Sequence, residues 1–125
     1  MYESQPAETS TGPSPRYVDE HNDGHGLNES IIILTDRPDQ SGAAHQYTAY
    51  IPQPKTDSKQ VLNIQFQKGP RLEPSSTSGV TEAVLLAILI DRLRGFQAGP
   101  YACRENAIIL TKLEECLHWT RARAD

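Results

Sequence analysis

Apolar positions are spread unevenly along the chain. Before Ile31 there is almost no apolar run, whereas between Val80 and Leu117 apolar residues dominate. Residues 31–35 are β-branched and apolar, a pattern that predicts a strand. A turn follows over 36–44, marked by Pro38, Asp39, Ser41 and Gly42. Residues 45–51 alternate, with Tyr47, Ala49 and Ile51 on one face, and predict a second strand. The strictest alternation lies in 61–67. Leu62, Ile64 and Phe66 share one face there, and Val61, Asn63, Gln65 and Gln67 the other. This predicts a half-buried strand, ended by Gly69-Pro70.

The period then changes. Thr81 stands as a helix N-cap, and a helix is predicted from there to about Phe96. Its centre, 83–90, is apolar all round. A helix apolar on every face has to be covered on every face, so part of it is expected in a contact between subunits. Gly99-Pro100 stops this helix, and a second starts near Ala102. In the second, Ala107, Leu110, Leu113 or Glu114, and Leu117 recur at helical spacing, with Ile108 and Ile109 widening the stripe. So short a connection requires the two helices to run antiparallel. The expected fold class is α+β: a small antiparallel β-sheet followed by a C-terminal antiparallel two-helix hairpin. The expected organisation is a disordered acidic arm over 1–28 and one domain over 29–125. Its β part covers 29–78 and its hairpin 79–125.

Composition supports that division. The chain has 125 residues and 37% hydrophobic content, with a net charge of −4. The first thirty residues carry Glu3, Glu8, Asp19, Glu20, Asp23 and Glu29 against Arg16 alone, so the remainder is close to neutral. A polar acidic stretch cannot bury enough surface to fold. A near-neutral folded part does not suit a nucleic-acid polymer, though a few placed arginines suit a small anion. Met1 onwards is polar and acidic, unlike a signal peptide. The apolar run 83–90 falls far short of the about 20 residues of a membrane span. A location in the cytoplasm is expected, with no membrane partner. Cys103 and Cys116, if both lie on the second helix, stand about 20 Å apart by helical rise, too far for a disulfide. Both are expected as reduced thiols.

No catalytic constellation stands out. The sequence has no glycine-rich phosphate loop, zinc spacing or nucleophile elbow, so neither catalytic residues, nor a metal, nor a cofactor is expected. His21 and His25 have metal-pair spacing only on a helix, which Asn22, Asp23 and Gly24 oppose; a loop is the expected reading. Cys103 and His118 are too far apart along one helix to form a thiolate–imidazole pair, and Cys103 is expected as a small packing residue. What remains is a set suited to ligand binding. Phe96 and Tyr101 flank the hairpin turn, where a nucleobase can stack on either ring or either can cap the core. Asn106 sits at the border of the apolar stripe and can read a base edge or bond the turn. Arg121 and Arg123 can grip a phosphate or complement the helix C-terminus. Arg71, in a loop after the third strand, can reach a phosphate bidentately.

One resemblance brings these residues together. The run Ile90-Asp91-Arg92-Leu93-Arg94-Gly95-Phe96-Gln97-Ala98-Gly99-Pro100-Tyr101-Ala102-Cys103-Arg104-Glu105-Asn106-Ala107 carries it, with Leu85-Leu86-Ala87-Ile88 before it. Leu110-Thr111-Lys112-Leu113-Glu114-Glu115 and Leu117-His118-Trp119 follow. This resembles the hairpin domain shared by phage Thoeris anti-defence and anti-CBASS sponges. Phe66-Gln67-Lys68-Gly69-Pro70 and Ala43-Ala44-His45-Gln46-Tyr47 resemble the segments before that hairpin. The resemblance covers about 31–123. It implies a non-enzymatic anti-defence protein in the cytoplasm of an infected bacterial host, which binds a cyclic nucleotide signal without cleaving it. The strand-bearing half looks more like the Thoeris-directed branch, whose ligands are cyclic ADP-ribose isomers; the other branch takes cyclic di- and trinucleotides. The resemblance further implies a homo-oligomer, from dimer to hexamer, with the ligand between subunits. On the family pattern Phe96 stacks on adenine, Asn106 hydrogen-bonds the ligand, and Arg71 and Arg123 hold phosphates or stack. Two positions depart from it. Tyr101 stands where Phe is usual, and the basic end of the second helix is shorter, implying one phosphate-binding arginine fewer. From a different class, a phage structural or regulatory protein with a hairpin oligomerisation domain fits the same apolar pattern. A phosphodiesterase-like enzyme fits least, for want of catalytic residues.

Overall fold

The computed structural model describes residues 16–24, 26, 28–52 and 59–124. The chain divides into two compact units, Met1–Gly79 and Val80–Asp125.

The first unit is a four-stranded antiparallel meander in the order β1-β2-β3-β4. Its strands are β1 (Tyr17–Val18), β2 (Ile32–Thr35), β3 (Gln46–Ile51) and β4 (Lys59–Gln65). Tyr47, in β3, faces both neighbours: Thr35 on β2 and Ile64 on β4. The three strands read from the sequence are present, with β4 beginning and ending two residues early. The two-residue β1 is new. It falls in the stretch expected to be a disordered arm, the rest of which lies largely outside the described residues. It is held from the side of β2: the Thr35 amide donates to the Arg16 carbonyl at 3.0 Å, and the Arg16 amide donates to Thr35 Oγ1 at 3.3 Å. These bonds explain why Thr35, a polar residue, is buried.

The apolar faces are covered less well than alternation predicts. Alternation puts Leu62 and Val61 on opposite faces of a half-buried strand, and both are exposed, at 43% and 42%. β4 is an edge strand with a neighbour on one side only. Its larger side chains therefore keep an outer flank in solvent. Covering begins at Ile64 and at Phe66, whose ring meets Tyr47 edge-on at 5.7 Å. After β4 the chain makes an excursion closed by a Lys68–Thr77 bridge. It returns at Gly79, where an added Cβ would run into the backbone of Gln65 and Phe66.

The second unit is a helical hairpin of α1 (Glu82–Gln97) and α2 (Arg104–Ala124). Thr81 occupies the N-cap position of α1 in extended conformation, but its hydroxyl makes no capping bond. Its carbonyl instead accepts from the Val84 and Leu85 amides. Two ion pairs, Glu82 with Arg123 and Arg94 with Glu114, join the helices in reversed chain order, so they run antiparallel. Leu86, Ile90, Leu93 and Gln97 form the covered stripe of α1; Asn106, Leu110, Leu113 and Leu117 form that of α2. Of these only Ile90, 3% exposed, is buried. Val84, Ile88 and Leu89 on α1, and Ile108, Ile109 and Trp119 on α2, stay exposed. Two helices leave each other's outer faces uncovered, which is the physical basis of that exposure.

Candidate functional site at the ends of the hairpin

The turn between the helices is built by its own polar groups. The Ala98 amide donates to the Arg94 carbonyl at 3.0 Å, and the Gly99 amide to the Phe96 carbonyl at 3.2 Å. Gln97 Oε1 accepts from the Cys103 amide at 3.0 Å, tying the end of α1 to the start of α2. Cys103 is not the packing residue expected from sequence. It is exposed, and its Sγ accepts the Asn106 amide at 3.4 Å, in the manner of an N-cap. Cys116 is also exposed and free, as the spacing predicts.

This turn carries three of the expected ligand residues. Phe96 is half-buried in the last turn of α1. Tyr101 is 74% exposed and does not cap the core. Asn106, in the first turn of α2, is half-buried. Its side-chain amide has no hydrogen-bond partner among the described residues. A half-buried amide without a partner has donors and an acceptor to spend on a ligand.

The other two hairpin residues lie at the opposite end. Arg121 and Arg123 occupy the last turn of α2. Arg123 lies 3.6 Å from Glu82. Arg121 lines an open cleft of about 500 Å³ with Ala87, Ile90, Asp91, Arg94, Glu114 and Leu117. Helical rise puts Asn106 and Arg123 about 25 Å apart. One hairpin therefore cannot bring both to one small ligand. Arg71 belongs to the sheet unit. Its guanidinium donates to the Gly79 carbonyl at 2.8 Å, and the next residue, Leu72, adopts φ 76, a left-handed conformation uncommon outside glycine.

Sequence reasoning passed over Arg92. Its guanidinium carbon lies 4.9 Å from the centroid of the Phe96 ring. The signal was available, because residues four apart on a helix share a face.

The described residues include no group of three or more His, Cys, Asp or Glu side chains placed to hold a metal. His21 is engaged by the Ile31 carbonyl at 2.7 Å, and His25 lies outside the described residues. No helix among the described residues is long and apolar enough to cross a membrane. Among the described residues the one strongly shifted acid is in the β2–β3 turn. Hydrogen bonds from the Ser41 hydroxyl and amide, with help from His45, lower Asp39 to about 2. Ser41 bonds Asp39 and not His45, so the three do not form a nucleophilic relay.

Comparison with a family model finds similarity over β4, the connection after it and the hairpin. The family model described as "Acb2/Tad1, hairpin domain" matches residues 58–125. A protein named "Thoeris anti-defense 1" from Bacillus phage SBSphiJ7 is 43% identical over 63 residues, which is 50% of this chain and 44% of that protein. The matched segment thus spans less than half the length of that relative.

Proposed function

The chain belongs to the Acb2/Tad1 hairpin-domain family, and from that premise we propose that it is a phage anti-defence protein that captures a cyclic nucleotide immune signal without cleaving it. The ligand class is the cyclic ADP-ribose isomers, in keeping with the Thoeris name of the relative; cyclic di- and trinucleotides of CBASS are the further class. The protein acts inside the infected bacterial cell, as a homo-oligomer.

The observation that carries this reading is the pairing of an aromatic ring with an unpartnered amide at the hairpin turn, in the segment the family model matches. Phe96 offers a stacking surface for adenine, and Asn106 offers donors and an acceptor to a base or ribose. Phosphates need charge-assisted partners, which Arg71, Arg121 and Arg123 supply. Because Asn106 and Arg123 are about 25 Å apart on α2, an Arg123 that meets a ligand at the turn comes from a second copy. The exposed apolar rows of both helices give that copy a surface to pack on. A sponge needs no turnover. It works by stoichiometric capture, provided its dissociation constant lies well below the signal concentration.

The test is retention. The protein is incubated with cyclic ADP-ribose isomers, and separately with cyclic di- and trinucleotides, then washed and denatured by heat. Intact ligand in the supernatant supports the sponge. Degraded ligand indicates an enzyme. No retained ligand indicates an assembly protein whose hairpin serves oligomerisation alone. Phe96→Ala and Asn106→Ala should each abolish retention, and undiminished retention in both would remove the turn as the site.

A further inference from the structure

Arg92 and Phe96 are one turn apart on α1, and the guanidinium lies over the ring at 4.9 Å. That is within the roughly 6 Å of a cation–π contact. The contact orients both groups at once. It holds the ring in place, and it fixes a planar cation whose N–H donors remain available, since stacking uses none of them.

The surroundings of Arg92 set it apart from Arg71, Arg94 and Arg123, and its ring contact at the turn sets it apart from Arg121, which lies in the last turn of α2. Arg71 donates to Gly79, Arg94 pairs with Glu114 and Arg123 with Glu82. Arg92 is exposed and makes no hydrogen bond or ion pair among the described residues. Its helical neighbours at three and four residues are Ile88, Leu89, Gly95 and Phe96. None is a carboxylate that could neutralise it. An unpaired cation among apolar groups, stacked on an aromatic ring, suits a ligand that is itself a flat ring joined to an anion.

We propose that Arg92 is a ligand-binding residue, its guanidinium pairing with a phosphate of a cyclic nucleotide whose base stacks against the Arg92–Phe96 pair. This rests on the sponge reading and adds a residue to it. Arg92 belongs to the turn end of the hairpin, so it places one phosphate contact on the same chain as the stacking ring and Asn106. The arginines of the opposite end then serve the remaining phosphate charge from another copy.

The experiment compares full-length wild type with Arg92→Met, Arg92→Ala and Arg92→Lys by calorimetric titration with a cyclic ADP-ribose isomer at two salt concentrations. Methionine keeps an unbranched apolar stem over Phe96 but removes the charge, so it separates packing from phosphate binding. Loss of one charge-assisted partner should weaken binding roughly 10- to 100-fold. Both neutral variants should show this with unchanged melting, and their affinity should fall less with added salt than that of wild type. Lysine should recover part of the loss, because it restores charge but not the planar fork. If wild type binds and Arg92→Met binds equally tightly, with the same salt dependence, the proposal is wrong while the sponge reading stands. If wild type binds no cyclic nucleotide, the sponge reading itself has failed, and Arg92 loses its ligand with it.

Discussion

The guanidinium of Arg123, in the last turn of α2, lies 3.6 Å from the carboxylate of Glu82, the first residue of α1. Each charge also suits its own helix end, an acid at an N-terminus and a base at a C-terminus. On the proposed function, a ligand phosphate has to compete with Glu82 for Arg123. Both side chains are well exposed, so the pair adds little to stability. Glu82→Gln should leave the melting temperature of the hairpin close to wild type and tighten ligand capture roughly twofold to fivefold. Titration calorimetry reads the affinity. Weaker binding by the variant would mean that Glu82 holds Arg123 ready for the ligand instead of competing for it.

The uncovered apolar rows make a prediction about assembly. Ile88 is 58% exposed on α1 and Trp119 68% exposed on α2. A charge at an exposed position costs an isolated hairpin little, but it is costly in a desolvated contact between copies. Ile88→Glu and Trp119→Glu should each lower the mass measured by light scattering toward the 13.9 kDa of one chain. A mass unchanged by both would place the contact on other residues.

Packing within the hairpin depends heavily on Ile90, its one buried large side chain among the described residues. Ile90→Ala should cost about 2–4 kcal/mol, read as loss of helical signal in denaturant at fixed protein concentration. A cost under about 1 kcal/mol would show that the helices are held mainly from outside the pair.

The β2–β3 turn should respond to acid. Asp39 is lowered from 3.8 to about 2 because Ser41 and His45 bond its ionised form. A lowered acid contributes stability that is fully present above the unfolded value and is lost as pH falls through the folded one. The turn should therefore hold at pH 5 and loosen between about pH 4 and pH 2. The Ser41 amide resonance, whose N–H donates to Asp39 at 2.8 Å, reports the midpoint. A midpoint at the ordinary carboxylate value would show that the hydrogen bonds do not persist in solution. Asp39→Asn should remove the transition.

Much of this fold could be read from local pattern. Period-two alternation marked β3 and β4, a change of period marked α1, and Gly99-Pro100 marked the turn. These features depend on neighbours within a few residues, which is why sequence carries them. β1 could not be read this way. Tyr17 and Val18 have no periodic context, and the strand exists through bonds between Arg16 and Thr35, which are distant in the chain. The exposure of Leu62 has a related cause: alternation assigns a face, but only the order of strands shows that β4 lies at an edge.

The candidate site divides along the same line. Sequence by itself determined which side chains are suited to a nucleotide: the ring of Phe96, the amide of Asn106 and the arginines. Tertiary structure decided which of them are available and where. Helical rise separates Asn106 from Arg123, ion pairs engage Arg94 and Arg123, and Arg92 lies over Phe96. Residue chemistry belongs to each side chain alone, whereas partnership depends on what antiparallel packing brings within a few ångströms.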